Sequence, residues 1–293
     1  MTKKRINTIS DHLKNEFGRK TIKLAIDGGF TCPNRDGSKG YGGCTFCSDT
    51  GSGEFSSDID SQIRLLSDKW PDAAYLAYFQ NHTNTYAPVD ELREKYFGVL
   101  KDSRIRGLVI GTRPDCLGSD VLDLLSEINE THFLWVELGL QTIHEKTAEA
   151  INRCYSLDVF DKAMEDLRSR GIRTVVHLIL GLPGETAEDM CASVRYVCAG
   201  RTDGIKLQLL HILKGTDLAK EYEEGRVHAL TEDEYIGILK KCVPEIPDSV
   251  VVHRLTGDGD KRLLIAPLWS ADKKHVLSRI RREVMLPRPG LVL

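Results

Sequence analysis

The chain has 293 residues, 41% of them apolar and 28% charged, with Lys+Arg 40 against Asp+Glu 43. That is ordinary globular composition, which excludes disordered and fibrous classes, and the length suffices for one α/β barrel or two small domains with a buried core. No apolar run approaches the ~18 residues of a membrane span. The N-terminal stretch MTKKRINTISDHLKNEF is charged and amphipathic and lacks an apolar signal core, so the expected location is cytoplasmic.

The net charge of -3 hides an uneven distribution. Residues 1–50 carry nine Lys/Arg against five Asp/Glu, and residues 251–293 nine against four, so basic ends flank an acidic middle. Basic ends suit a polyanionic partner, or are simply solvated faces of one sign. The eight cysteines, Cys32, Cys44, Cys47, Cys116, Cys154, Cys191, Cys198 and Cys242, are too many to ignore. In a chain this long with no export signal they read as metal ligands, reactive groups or small core residues rather than a disulfide framework.

Along the chain, strand-like runs fall at Ile22–Ile26, Ala73–Phe79, Gly107–Ile110, Phe133–Leu140, Thr174–Leu180 and Ile205–Leu213. Several are apolar almost throughout, as parallel strands covered on both faces are. Helical periodicity lies between them, for example in Val89, Leu92, Tyr96 and Val99, in Val121, Leu122, Leu125 and Ile128, and in Phe160, Ala163, Met164 and Leu167. Thr186 with Asp189, and Thr231 with Glu234, have the spacing of capped helix starts. Six right-handed β-then-α units curl toward a barrel two strands short of closure, an α/β partial (β/α)6 barrel with a side opening. The expected organisation is one barrel over residues 1–247. Residues 248–293 form a small extension packed on it, with strand-like runs Val250–Leu255 and Arg262–Ala266 about a Gly257–Asp260 turn, then a basic helix bearing Val276, Leu277 and Ile280.

Three thiols follow the first strand in a glycine-rich loop, Cys32-Pro33-Asn34 through Gly42-Gly43-Cys44-Thr45-Phe46-Cys47, at the strand end where βα barrels build active sites. Three are one short of a closed zinc site and of the four that hold an ordinary [4Fe–4S] cluster. An iron without a protein ligand is open to a small molecule. A histidine such as His82 completing a zinc knuckle is the competing reading.

This loop followed by six βα units resembles radical S-adenosylmethionine (SAM) enzymes, in which three cysteines hold [4Fe–4S] and the fourth iron is chelated by the methionyl amine and carboxylate. The commonest pattern has three residues between the first two cysteines, and here there are eleven. The longer gap is similar to the radical domain of the Elongator catalytic subunit, and most of all to a bacterial group lacking its acetyltransferase domain. The resemblance implies Cys32, Cys44 and Cys47 as metal ligands and a main-chain contact to the methionyl amine near Gln80. It places Thr112 toward the methionyl or ribose end and Arg153 on the methionyl carboxylate. The segment from His177 to Thr186, with Ile179 and Glu185 in it, would flank adenine.

Strand alternation puts Glu137 and Gln141 on one inward face of the fourth strand and Lys206 and Gln208 on one face of the sixth. A buried carboxylate needs a partner, which favours ligand contact for Glu137 and Gln141. His177 and His211 lie in apolar runs and read as core or supporting groups, with a catalytic role as the alternative. Cys116, Cys191, Cys198 and Cys242 read as packing, and Cys154, beside Arg153, is considered for substrate or redox chemistry. A C-terminal set, His253, Arg254, Lys261, Arg262, Trp269, Lys273 and Lys274, could form an anion-binding rim.

The expected activity is hydrogen abstraction after reductive cleavage of SAM, with [4Fe–4S] and SAM as cofactors and a one-electron donor such as flavodoxin or ferredoxin. The Elongator resemblance implies tRNA as substrate, at the C5 substituent of wobble uridine and, in the bacterial group, a carboxymethylaminomethyl-type side chain. The alternatives are radical modification of a peptide or small metabolite, and a zinc-dependent RNA-binding protein without turnover.

Overall fold

The computed structural model describes residues 6–51, 53, 55–200, 202–257 and 259–285. All six expected strands form in order: β1 (Thr21–Ile26), β2 (Ala74–Phe79), β3 (Ile105–Thr112), β4 (Phe133–Gln141), β5 (Arg173–Leu180) and β6 (Gly204–Leu209). Each pairs in parallel with the next, in registers such as Leu24 with Ala77, Gly111 with Glu137, and His177 with Lys206. Ten helices lie among the described residues: α1 (Ile9–Phe17), α2 (Ile59–Ser67), α3 (Val89–Leu100), α4 (Ser119–Thr131), α5 (Glu145–Ala150), α6 (Leu157–Ser169), α7 (Ala187–Ala199), α8 (Asp217–Glu223), α9 (Glu232–Cys242) and α10 (Lys273–Glu283). The outer sheet face and the helices share one large core, which includes Leu24, Leu108, Ile110, Leu138, Val176 and Leu207. The two hydroxyl–carboxylate pairs form full capping boxes, Thr186 with Asp189 at α7 and Thr231 with Glu234 at α9.

Two expectations are corrected. The run Ile205–Leu213 is not one strand: β6 ends at Leu209, and Ile212–Leu213 is a separate short strand, β7, that pairs antiparallel with β9 (Leu264–Ala266). The sheet also has seven strands, because Val251–Arg254 of the C-terminal extension is β8, parallel to β6. The exposed edge of β6 would otherwise leave unpaired backbone groups, and Val251 N–H satisfies one by donating to the Asp203 carbonyl, 2.8 Å.

The N-terminal helix has a role that periodicity did not reveal. α1 packs against both β1 and β8, the two edges of the curled sheet. Thr8 bridges to Val252, whose N–H donates to the Asn7 carbonyl at 2.8 Å. Leu13, with Ile9 and Phe17, joins Leu76, Val109, Phe133, Trp135 and Val175 of the inner face in a second core, so α1 plugs the N-terminal end of the barrel. Inner-face burial is complete there and relaxes toward the strands' C-terminal ends: Glu137 is buried but Gly139 and Gln141 are half-exposed, and Lys206 is buried but Gln208 is half-exposed. The barrel is therefore a hollow closed below and open above.

Candidate functional site

The cysteine loop is a built structure, not a slack connection. Its turns close through Arg35 N–H to the Cys32 carbonyl (2.8 Å), Gly43 N–H to the Asn34 carbonyl (2.8 Å) and Cys47 N–H to the Cys44 carbonyl (2.9 Å). Gly42 and Gly43 take φ of 76° and 85°, a region costly for side-chain-bearing residues. The segment after α5 clamps this loop from across the barrel mouth. Asn34 Nδ2 donates to the Asn152 carbonyl at 2.6 Å, Asn152 Nδ2 donates to the Gly43 carbonyl at 2.7 Å, and Thr45 N–H donates to the Ile151 carbonyl at 3.1 Å.

The three thiols are electrostatic neighbours. Burial, the Cys47 sulfur and the Cys32 sulfur push the Cys44 thiol up to about 12, partly offset by the Arg113 guanidinium and a weak contact from Asn34. Yet among the described residues no three His, Cys, Asp or Glu side chains converge closely enough to hold one metal ion. His82 packs instead against the Gly51 turn, where an added Cβ would lie 2.5 Å from its Nδ1. Three thiols in one clamped loop are one ligand short of a closed zinc site and would leave one iron of a [4Fe–4S] cluster open. Arg113 is fixed by two 2.9 Å bonds to Asp115; Arg35, held to the Ser48 carbonyl at 2.5 Å, adds a second cation beside the loop.

Arg153 is only 1% exposed. Its guanidinium donates to the carbonyls of Leu140 (3.2 Å), Thr142 (2.6 Å) and Tyr155 (3.0 and 2.9 Å) and to Glu145 (3.4 Å). With its fork spent on backbone, Arg153 shapes the chain after β4, in place of the expected methionyl carboxylate contact. Thr112 is likewise turned away from the hollow, its hydroxyl 2.5 Å from that of Thr85, which donates to the Cys116 carbonyl. Gln80 and Gln141 sit half-buried at the rim, the latter with φ of 71°. Ile179 belongs to an apolar cluster with Leu182, Leu210 and Ile212. The Glu185 carboxylate accepts from Thr142 Oγ1 at 2.5 Å, and burial raises its pKa.

Glu137 has partners the sequence reading did not supply. Lys23 Nζ donates to Oε1 at 2.6 Å, Lys206 Nζ to Oε2, and His177 Nε2 lies 3.0 Å from Oε2. His253 Nδ1 is 3.7 Å from Oε1 and 3.3 Å from Lys23 Nζ, and Lys206 also donates to the Tyr78 hydroxyl at 2.9 Å. Burial alone would raise the Glu137 pKa, but the ammonium groups of Lys206 and Lys23 outweigh it and hold the carboxyl well below its usual range. Burial brings Lys206 down to about 7 and, helped by the Lys206 charge, His177 to about 4. Glu137 and Lys206 thus meet on the inner face, bound to each other. Their missed partners stand on inward positions of β1, β2 and β8, a parity that strand alternation could have exposed.

His211 accepts from Gly259 N–H at 3.2 Å, packed on the Gly257 backbone. The Cys191 and Cys242 sulfurs are buried 3.1 Å apart between α7 and α9. Cys154 is exposed, with its sulfur 3.1 Å from Asn152 Oδ1. The expected C-terminal rim loses two members to the interior. His253 is buried in the barrel, and Trp269 packs near Tyr235 while its Nε1 donates to the Leu230 carbonyl. Arg262 pairs with Asp260, Lys261, Lys273 and Lys274 are exposed, and Asp258 lies outside the described residues.

The profile of the Radical SAM superfamily matches residues 32–197, and that of the Radical_SAM C-terminal domain matches residues 202–285. The chain belongs to the radical SAM superfamily. This radical SAM protein is 46% identical to the Bacillus subtilis protein YtqA over 291 residues, covering 97% of this chain and 90% of that protein. It is 26% identical over 160 residues to a tRNA uridine(34) acetyltransferase of Methanocaldococcus jannaschii, covering 54% of this chain and 29% of that one. Among solved structures, the archaeal Elp3 of Methanocaldococcus infernus matches with a TM-score of 0.67 at 16% identity, over 92% of this chain and 64% of that one. The superfamily are enzymes that work with a [4Fe–4S] cluster and SAM, which is the chemistry the thiol loop fits. No helix among the described residues is long and apolar enough to cross a membrane.

Proposed function

We propose that Cys32, Cys44 and Cys47 hold a [4Fe–4S] cluster at the mouth of the barrel and that the enzyme modifies the wobble uridine of tRNA. The observation that carries the first part is the three-thiol loop, clamped by Asn34 and Asn152, whose sulfurs are electrostatic neighbours. When bound and reduced by a one-electron donor such as flavodoxin or ferredoxin, the cluster supplies the electron that cleaves SAM and generates the hydrogen-abstracting species. The protein's own residues do the rest. Gly42 and Gly43 let the backbone wrap closely, Arg113 and Arg35 offset thiolate charge, and the plugged floor limits water to the open side. Gln80, Gln141, Gln208 and Glu185 form the rim that positions SAM.

Support for tRNA comes from the relative named for tRNA uridine 34, the Elp3-like fold and the basic ends. A cytoplasmic location suits reduced thiols and an RNA substrate. The test is anaerobic reconstitution, then SAM and dithionite with and without tRNA, followed by 5′-deoxyadenosine and modified-nucleoside analysis. The expected result is about four iron per chain, 5′-deoxyadenosine formation, and tRNA-dependent loss of a wobble-uridine nucleoside. An intact cluster that makes 5′-deoxyadenosine but leaves tRNA unbound and unchanged would overturn the tRNA reading in favour of a peptide or small metabolite.

A further inference from the structure

Arg35 reaches the cysteine loop at or beside every thiol. Its backbone N–H donates to the Cys32 carbonyl at 2.8 Å. Its side chain then crosses the Gly43 backbone, next to Cys44, so closely that an added Cβ there would lie 3.0 Å from Nε. The guanidinium ends at the third thiol, where Nη2 donates to the Cys47 carbonyl at 3.1 Å and to the Ser48 carbonyl at 2.5 Å. One side chain, 18% exposed, thus runs along the span that carries the three cysteines.

The charge on that side chain is poorly cancelled. Its carboxylate partner, Asp49, is 3.6 Å from Nη1 and stands wholly in solvent, where its field is screened. The neighbouring cation is different: two 2.9 Å bonds join Arg113 to Asp115, and both side chains are under a tenth exposed. The remaining charged residues between 27 and 49, Asp27, Asp36 and Lys39, are exposed. Burial and then the Arg35 charge push the His82 pKa down, so this imidazole adds no second cation. Burial opposes the Arg35 charge itself, but the Cys47 sulfur, Asp49 and the Cys32 sulfur outweigh it.

We propose that Arg35 is a positioning residue for electron entry: its uncancelled charge, laid along Cys32, Cys44 and Cys47, raises the reduction potential of the cluster they hold. The inference rests on the [4Fe–4S] reading of the three thiols and is independent of the substrate. Reduction brings one electron from the donor and makes or breaks no bond. It adds a negative charge to a site that already carries three thiolates, and a fixed cation beside that site favours the form with the extra electron. At an effective dielectric of about 20, one such charge changes the ratio of reduced to oxidised cluster roughly tenfold.

The test is a potentiometric titration of the full-length, anaerobically reconstituted protein, followed by the electron paramagnetic resonance of the reduced cluster. Wild type, Arg35→Gln and Arg35→Lys are compared, with iron content measured on each sample. At a fixed solution potential the reduced-to-oxidised ratio should fall about tenfold in Arg35→Gln, a midpoint about 59 mV lower for one electron. In Arg35→Lys, which keeps the charge, it should stay within about twofold of wild type.

A residue that only folds the loop would lower iron content without moving the midpoint of the clusters that remain. That result, or equal falls in the Gln and Lys variants, would overturn the proposal. If Arg35→Gln takes up no iron, Asp49→Asn decides. Loss of that exposed carboxylate should raise the ratio about twofold at low ionic strength and not at high salt, and an unchanged midpoint overturns the proposal. Wild-type protein that binds zinc or no metal overturns the cluster reading as well, an outcome distinct from a loaded cluster whose midpoint ignores Arg35.

Discussion

The two ends of one barrel solve opposite problems. At the mouth, irregular backbone, positive-φ glycines and polar side chains hold a loop that carries three cysteines. At the floor, regular strands hold a carboxylate among two amines, two imidazoles and a phenol, beneath which α1 seals the sheet. The mouth is thus held by its loops and able to accept a cofactor, whereas the floor is a buried charge cluster whose members depend on one another. Chemistry and stability should separate on mutation accordingly.

The largest effect is expected from Cys44→Ala. Iron content and 5′-deoxyadenosine formation should fall to background, while the urea midpoint changes little because the thiol packs in a loop; equal destabilisation would break the comparison. Glu137→Ala should do the converse, removing the one anion between two buried amines and costing about 3–5 kcal/mol in urea unfolding while cysteine-bound iron stays near stoichiometric. Arg153→Met, at the junction of the two regions, removes the guanidinium donors of the Thr142 and Tyr155 carbonyls, while the Leu140 carbonyl keeps the Thr142 N–H. It should cost about 2–3 kcal/mol and also lower iron occupancy, since the segment it shapes clamps the cysteine loop.

The smallest effect is at a helix cap remote from both ends. Thr231→Ala should cost about 1 kcal/mol. It should also change the acid limb, because bonds from the Thr231 backbone N–H, His228 and the Thr231 hydroxyl lower the Glu234 pKa to about 2. A folded-state pKa below the unfolded value gives stability that is present above about 4.5 and lost as pH falls toward 2. Urea midpoints between pH 5 and 3 should therefore fall less steeply in the variant.

The order of strands, the helix faces and both capping boxes were legible because each depends on residues close in sequence: Thr186 needs only Asp189, and the apolar run of β5 needs only its own neighbours. The cysteine loop was legible for the same reason. What was not legible depends on distant pairing. Nothing near Val251 says that it joins β6 rather than a separate hairpin, and nothing near Glu137 reveals Lys23, 114 residues away. Arg153 was read from its likeness to a motif, yet its fate was set by where the Leu140 and Thr142 carbonyls came to lie. A buried Glu in a strand signals that partners exist, and only the curl of the sheet names them.

The placement of α1 and β8 also bears on how the molecule is made. On the ribosome, β6 emerges with a bare edge and must wait for Val251–Arg254, an interval of a few seconds at ordinary elongation rates. Until then α1 has only one of its two flanking strands, Lys23 and Glu137 lack their enclosure, and an apolar sheet edge stands open to neighbouring nascent chains. Closure joins Asn7 and Thr8 to Val252, so the barrel should behave as an all-or-none assembly that completes only once β8 has emerged.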